Sequence, residues 1–189
     1  MTPASDVDDV LTFWFETLSP GQWFRRDNAL DNTIATRFGA LLEAARRGEL
    51  SHWRDGHRDN ESDRGRLAEI IIIDQFSRNV YRGDPRAFSH DPQALVLAQE
   101  AVRLGCDRRL PLRERPFLYM PWMHSESLHV HQEALRLFDQ PGLERHLEVE
   151  QRHLAILGRF GRYPHRNEAL GRDSTPEELD FLTTPGSSF

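Results

Sequence analysis

A chain of 189 residues, 38% hydrophobic and 29% charged, is long enough to bury roughly 70% of its unfolded surface in one domain without staples. Its formal net charge of −6, from 30 acidic and 24 basic side chains, argues against a general nucleic-acid binder, whose affinity rests on a basic excess. Cys106 is the only cysteine and lysine is absent, which removes intrachain disulfides, multi-cysteine metal centres and Schiff-base chemistry.

The N-terminal MTPASDVDDV lacks the charged-then-apolar pattern of a secretory signal, and the apolar run Ile70–Ile73 is far too short to cross a bilayer. The expected location is the cytoplasm, with no membrane partner. Asp6 can cap a first helix through Val10, Leu11, Trp14 and Phe15. After a turn at Leu18–Gly21, the apolar positions Leu30, Ile34, Phe38, Leu41 and Leu42 recur at helical spacing, and Gly48 supplies a stop. The polar stretch His52–Arg64 reads as an exposed loop.

Leu67–Val80 is the most hydrophobic helix candidate. Two polar stripes cross it, Asp74, Arg78 and Arg82 on one row and Gln75 and Asn79 on the other. Polar groups on an enclosed element need partners, and structural ion pairing and a ligand-facing surface explain the stripes equally well. Gly83-Asp84-Pro85 breaks the element, and Asp91-Pro92 starts the next helix, with proline at its first position. Cys106–Pro116 reads as a linker. From Phe117 a further helix carries YMPWMHSESLHVHQEALRLF, with His124 and Leu128 expected on one face. Leu143–Phe160 follows and ends at Gly161 and Pro164. Ser174-Thr175-Pro176-Glu177-Glu178 signals a capped helix reaching Leu182. No alternating strand pattern or internal repeat is present. The expectation is an all-α single domain over residues 1–182 with antiparallel neighbouring helices, and a flexible tail at 183–189.

Chemistry gathers in three segments: Asp74–Arg82, Tyr119–Glu133, and His153 with the RFGRYPHRN run ending at Asn167. His146, Glu150 and His153 recur at four and three residues, a spacing that could line up metal ligands but is not the HExxH zinc motif. From Gln151 to Arg172 there are five arginines and one acid, Glu168. Arginine matches carboxylate or phosphate geometry, so this stretch either recognises an anion or fastens a helix corner through acids elsewhere. Ser125 lacks the strand–turn–helix context of a hydrolase nucleophile.

Taken together, DQFSRNVYRGDPRAF, YMPWMHSESL and RFGRYPHRNEALGRDST, with FWF at Phe13–Phe15, WF at Trp23-Phe24 and STPEE at Ser174–Glu178, resemble the bacterial family catalogued as domain of unknown function 924. The resemblance covers nearly the whole chain. It implies an all-helical fold similar to the tetratricopeptide-repeat superfamily, and it brings no reaction or cofactor. Ser77 stands where the family usually has proline, and Trp122 where it usually has phenylalanine.

The expected function is a pocket for a small anionic metabolite, with catalysis open. Arg78, Asn79, Arg162, Arg166 and Asn167 would bind the ligand, and Asp74, His124, Glu126 and His165 would orient it or move protons. The alternatives are a protein- or peptide-interaction module, motivated by Trp14, Trp23 and Trp122, and a metal-dependent hydrolase. Glu126 is expected within hydrogen-bond reach of Arg166 or His165, because a half-buried carboxylate beside a rigid cationic turn needs a cation.

Overall fold

The computed structural model describes residues 6–55 and 61–188, and every regular element among them is helical. Two compact units emerge. One comprises the described residues through Arg82 together with Arg86–Pro121; the other comprises Gly83–Pro85 and the chain from Trp122 onward.

In the first unit, α1 (Asp6–Thr12) opens with Asp6, Asp8 and Asp9 in its first turn, where carboxylates offset the partial positive charge of the unsatisfied amides. It runs into a π-helical turn, Phe13–Thr17, closed by the Leu18 amide on the Phe13 carbonyl at 3.1 Å. Phe13, Trp14 and Phe15 are all buried, which three consecutive residues on a regular amphipathic helix would not be. Asp27 caps α2 (Asn28–Arg46) by accepting from the Ala29 and Leu30 amides at 3.0 and 3.2 Å. The helix buries Leu30, Ile34, Phe38 and Leu42, the stripe its spacing predicts, and Gly48 turns left-handed just past its end.

The next helix starts earlier than its hydrophobic run suggests. α3 (Glu61–Ile71) passes through a second π-turn, Ile72–Phe76, into α4 (Ser77–Val80). Of the expected loop, Ser51–Arg54 form a 3-10 turn with Trp53 buried, and residues 56–60 lie outside the described residues. α5 (Asp91–Arg103) has its proline in the first turn and buries Ala94, Ala98 and Ala101. The supposed linker holds a short helix, α6 (Cys106–Arg109). An aromatic cluster forms the core. Phe38 lies 5.1 Å from Phe13 and 5.0 Å from Phe76, and Trp14 lies 5.6 Å from both Phe76 and Phe117. Such pairs add about 0.5–1.5 kcal/mol each beyond the area they bury. Trp23 Nε1–H donates to the Trp14 carbonyl at 2.8 Å, so the FWF and WF segments interlock.

Gly65 shows how closely α3 approaches the 3-10 turn: a Cβ added there would stand 1.9 Å from the Trp53 carbonyl oxygen. Backbone cannot yield as a flexible side chain does. Gly65→Ala is expected to lower unfolding free energy by about 1–3 kcal/mol, despite alanine's better helix propensity, and urea unfolding measures it. A neutral or stabilising result would show that the two backbones separate freely.

α7 (Arg115–Met123) leads along the chain into the second unit. The helix expected to continue through HSES stops instead at Met123. Ser127 is extended (φ −119°, ψ 114°), and α8 (Leu128–Phe138) starts afresh. Serine competes for backbone hydrogen bonds and favours caps and turns over helix interiors, so His124 and Leu128 share no helical face. After the short connection 139–143, α9 (Glu144–Phe160) packs on α8. Gly161, at φ 71°, terminates it, with its amide on the Leu157 carbonyl at 2.7 Å. α10 (Pro176–Leu182) has the expected capping box, with Thr175 as the cap and Glu178 as the reciprocal acid. Ile156, Leu157 and Tyr163 form a core edged by Phe160 and Phe181. In the tail, Ser187 is buried and its hydroxyl donates to the Leu182 carbonyl.

Candidate functional site

The nine candidate residues divide between the units. In the first, Asp74 is fully buried. It accepts from Gln75 Nε2 at 2.7 Å and meets Arg78 at 3.2 Å. Arg78 also forks onto Asp91 at 3.0 and 2.9 Å. Asn79 donates to Asp31 at 2.8 Å, and Arg82 grips the same carboxylate at 2.8 and 2.9 Å. These polar stripes tie α2, α4 and the start of α5 together. Cys106 is buried beside Asp63, and burial with that neighbouring carboxylate pushes its thiol up to about 12, so it is no nucleophile.

The other six, His124, Glu126, Arg162, His165, Arg166 and Asn167, belong to the second unit, where the HSES linker meets the GRYPHRN turn. Three successive residues of the linker are pinned. The His124 carbonyl accepts from Arg166 Nη2 at 2.9 Å. The Ser125 carbonyl accepts from His131 Nε2–H at 2.9 Å. The Glu126 carboxylate accepts from Arg172 at 2.7 and 2.9 Å and from the Tyr163 amide at 2.7 Å. Burial pushes the Glu126 carboxyl up, but the Arg172 hydrogen bonds, the Tyr163 amide and the charges of Arg172 and Arg166 outweigh it and hold it below the usual range. The expected pairing thus falls on Arg172, with Arg166 acting on Glu126 through its charge.

The turn is fastened on its other side as well. Arg162 forks onto Glu178 at 2.7 and 2.8 Å and holds the Asp173 carbonyl. Asn167 joins Ser174, Glu178 and Arg172. The Arg162 hydrogen bonds, working against burial, bring Glu178 down to about 2.

Beneath the linker runs a fully buried chain of polar groups. His131 Nδ1 lies 2.5 Å from Glu150 Oε1, and both side chains are 0% exposed. A carbonyl can only accept, so the contact with Ser125 places a proton on Nε2. One further proton lies between Nδ1 and Glu150, and the pair is neutral overall on whichever atom it rests. The Tyr163 hydroxyl donates to the Met123 carbonyl at 2.7 Å and stands 3.1 Å from His131 Nε2. His153 Nδ1–H donates to the Val149 carbonyl at 2.8 Å. Burial lowers its pKa to about 3, with the Val149 hydrogen bond opposing and the nearby His124, His131 and His165 assisting.

The residues missed as site members, His131, Glu150, Tyr163 and Arg172, are the ones that hold the linker and turn in place. The expected metal face does not assemble: His146 stacks on Phe138 with centroids 6.3 Å apart, Glu150 turns to His131 and His153 to Val149. Among the described residues no three metal-binding side chains come together.

The model of the family described as bacterial protein of unknown function (DUF924) matches residues 10–186. Among solved structures, the chain is similar to a protein of unknown function, ATU0120, from Agrobacterium tumefaciens. The identity is 37% and the TM-score 0.85, over 94% of this chain and 96% of that one. No curated protein matches it.

Proposed function

Because the chain belongs to the DUF924 family of bacterial proteins of unknown function, membership brings no activity with it, and we propose from its own geometry that it binds a small anionic metabolite at His124, Ser125 and His165, two of which can exchange protons with the ligand. The observation that carries this reading is the pinning of three consecutive linker residues by buried or half-buried ionisable groups. Buried ionic pairs stabilise a fold poorly compared with apolar packing. Their use in succession beneath one short linker favours a fixed geometry that serves recognition, a set of ligand-facing groups supported from behind. The side chains left at the half-buried face are His124, Ser125 and His165. Imidazole and hydroxyl groups donate hydrogen bonds to oxyanions, and an imidazole titrates near neutrality, at roughly 6.5 when unperturbed.

Glu126, Arg172, Arg162 and Asn167 are positioning residues in this reading, since their polar atoms are engaged with one another and with Glu178. Histidine ring resonances followed by NMR during titration with sulfate, phosphate and acetate test it. Saturable shifts at His124 and His165 are expected. Glu126→Gln removes the charge under Arg172, so it should weaken anion affinity by about tenfold or more, beyond what its loss of stability, about 1–2 kcal/mol, explains. A variant that loses stability but binds anions as the wild type does would reduce the network to a structural fastening.

A further inference from the structure

We infer that anion binding at the His124–His165 face is coupled to proton uptake by those two imidazoles, so that affinity rises as pH falls; this rests on the site proposed above. The geometry gathers groups able to carry positive charge around one buried phenol. The Arg166 guanidinium lies 4.8 Å over the Tyr163 ring. The rings of His153 and His165 each lie 5.7 Å from it, and that of His131 lies at 6.4 Å. Arg166 reaches on to the His124 carbonyl. Arginine is charged throughout the accessible pH range, so each further cation near it is opposed. That opposition shows at His153, where His124, His131 and His165 add to the effect of burial.

The charged groups facing this region are accounted for element by element. On α8 and α9, His131 and Glu150 form a neutral pair, and His153 stays neutral. Beyond the turn, Arg172 is forked onto Glu126, and Arg162 onto Glu178 of α10. All three of these carboxylates are already committed. A proton arriving on His124 or His165 meets no spare negative charge among them, and a bound anion supplies it. Linkage is reciprocal: the anion favours the protonated imidazoles by as much as they favour the anion.

Sulfate, which stays dianionic from pH 5.5 to 7.5, is the probe. Calorimetric titration in buffers of different ionisation enthalpy reads protons taken up per sulfate. About one to two are expected at pH 7.5, with affinity falling roughly tenfold per pH unit for each proton. His124→Asn and His165→Asn should each reduce the uptake, and their melting temperatures should stay near that of the wild type because both side chains are half-exposed. Saturable sulfate binding with no proton uptake and a flat pH profile would overturn the coupling and leave the binding site standing. Uptake that persists unchanged in the double variant would overturn it too. No binding of sulfate, phosphate or acetate at any of these pH values would remove the site and the coupling together.

Discussion

Glu150→Ala is expected to lower unfolding free energy by about 3–5 kcal/mol at pH 7, the range found when one member of a buried charged pair is deleted. Glu150 and His131 are fully enclosed and 2.5 Å apart, and His131 Nε2 is committed to the Ser125 carbonyl. Truncation leaves Nδ1 facing a small cavity, with no solvent to replace the lost partner. Glu150→Gln should cost less than half as much, because its amide N–H can donate to Nδ1 and the pair's neutrality is preserved. Burial pushes the Glu150 carboxyl up, with the His131 hydrogen bond and charge opposing, so the wild-type pair is not a freely ionised bridge. Urea unfolding of both variants checks this. If alanine and glutamine cost the same, the hydrogen bond to Nδ1 contributes nothing.

The second large effect is a pH dependence that belongs to His153. Its folded pKa, about 3, lies below the ordinary value of 6.5, so below pH 6.5 the unfolded chain takes up a proton that the native state refuses. Stability from this group is therefore present at high pH and is lost as pH falls towards 3. The slope approaches about 1.4 kcal/mol per pH unit, or about 2–3 kcal/mol between pH 7.5 and 4.5. Glu178 and Glu126 have the same sign at lower pH. Their folded pKa values lie below the usual 4.5, with Glu178 at about 2, so their contribution disappears only as pH falls below 4.5. His153→Phe should remove most of the slope between pH 7.5 and 4.5 while leaving the steeper acid limb in place. Urea midpoints across that range decide it: an undiminished slope in the variant would assign the dependence to other groups.

Much of the fold was legible because helical spacing and caps are local. Asp27–Leu42, Asp91–Ala101 and Thr175–Leu182 each carried a start signal and an apolar stripe, and each appears as read. HSES was read as helix because the apolar residues on both sides stay in phase; Ser127 at the N-cap position was the signal against it. The arginines posed a different problem. Type and number mark Arg162, Arg166 and Arg172 as important, but the identity of their carboxylates depends on tertiary placement that spacing does not encode. His131 and Glu150 could have been found. His131 is in phase with Ala134 and Phe138, and Glu150 with His153 and Leu157, all buried. A polar residue in step with a helix's apolar stripe is one that must find its partner inside.

The π-turn at Ile72–Phe76 has a consequence for how this sequence can be altered. Such a turn accommodates one residue more than an α-helical turn would, and each residue of a helix advances the side-chain direction by about 100°. The spare residue acts as a phase shifter between Leu67 and Arg78. Removing any single residue from 72–76 would let the ladder close into regular α-helix and rotate all that follows by that angle. Arg78 would then leave Asp91, and Asn79 would leave Asp31, with no change in composition or hydrophobicity to announce it. An indel here is a rotation rather than a shortening, and two chains aligned through this segment are equivalent only where their side chains reach the same acids.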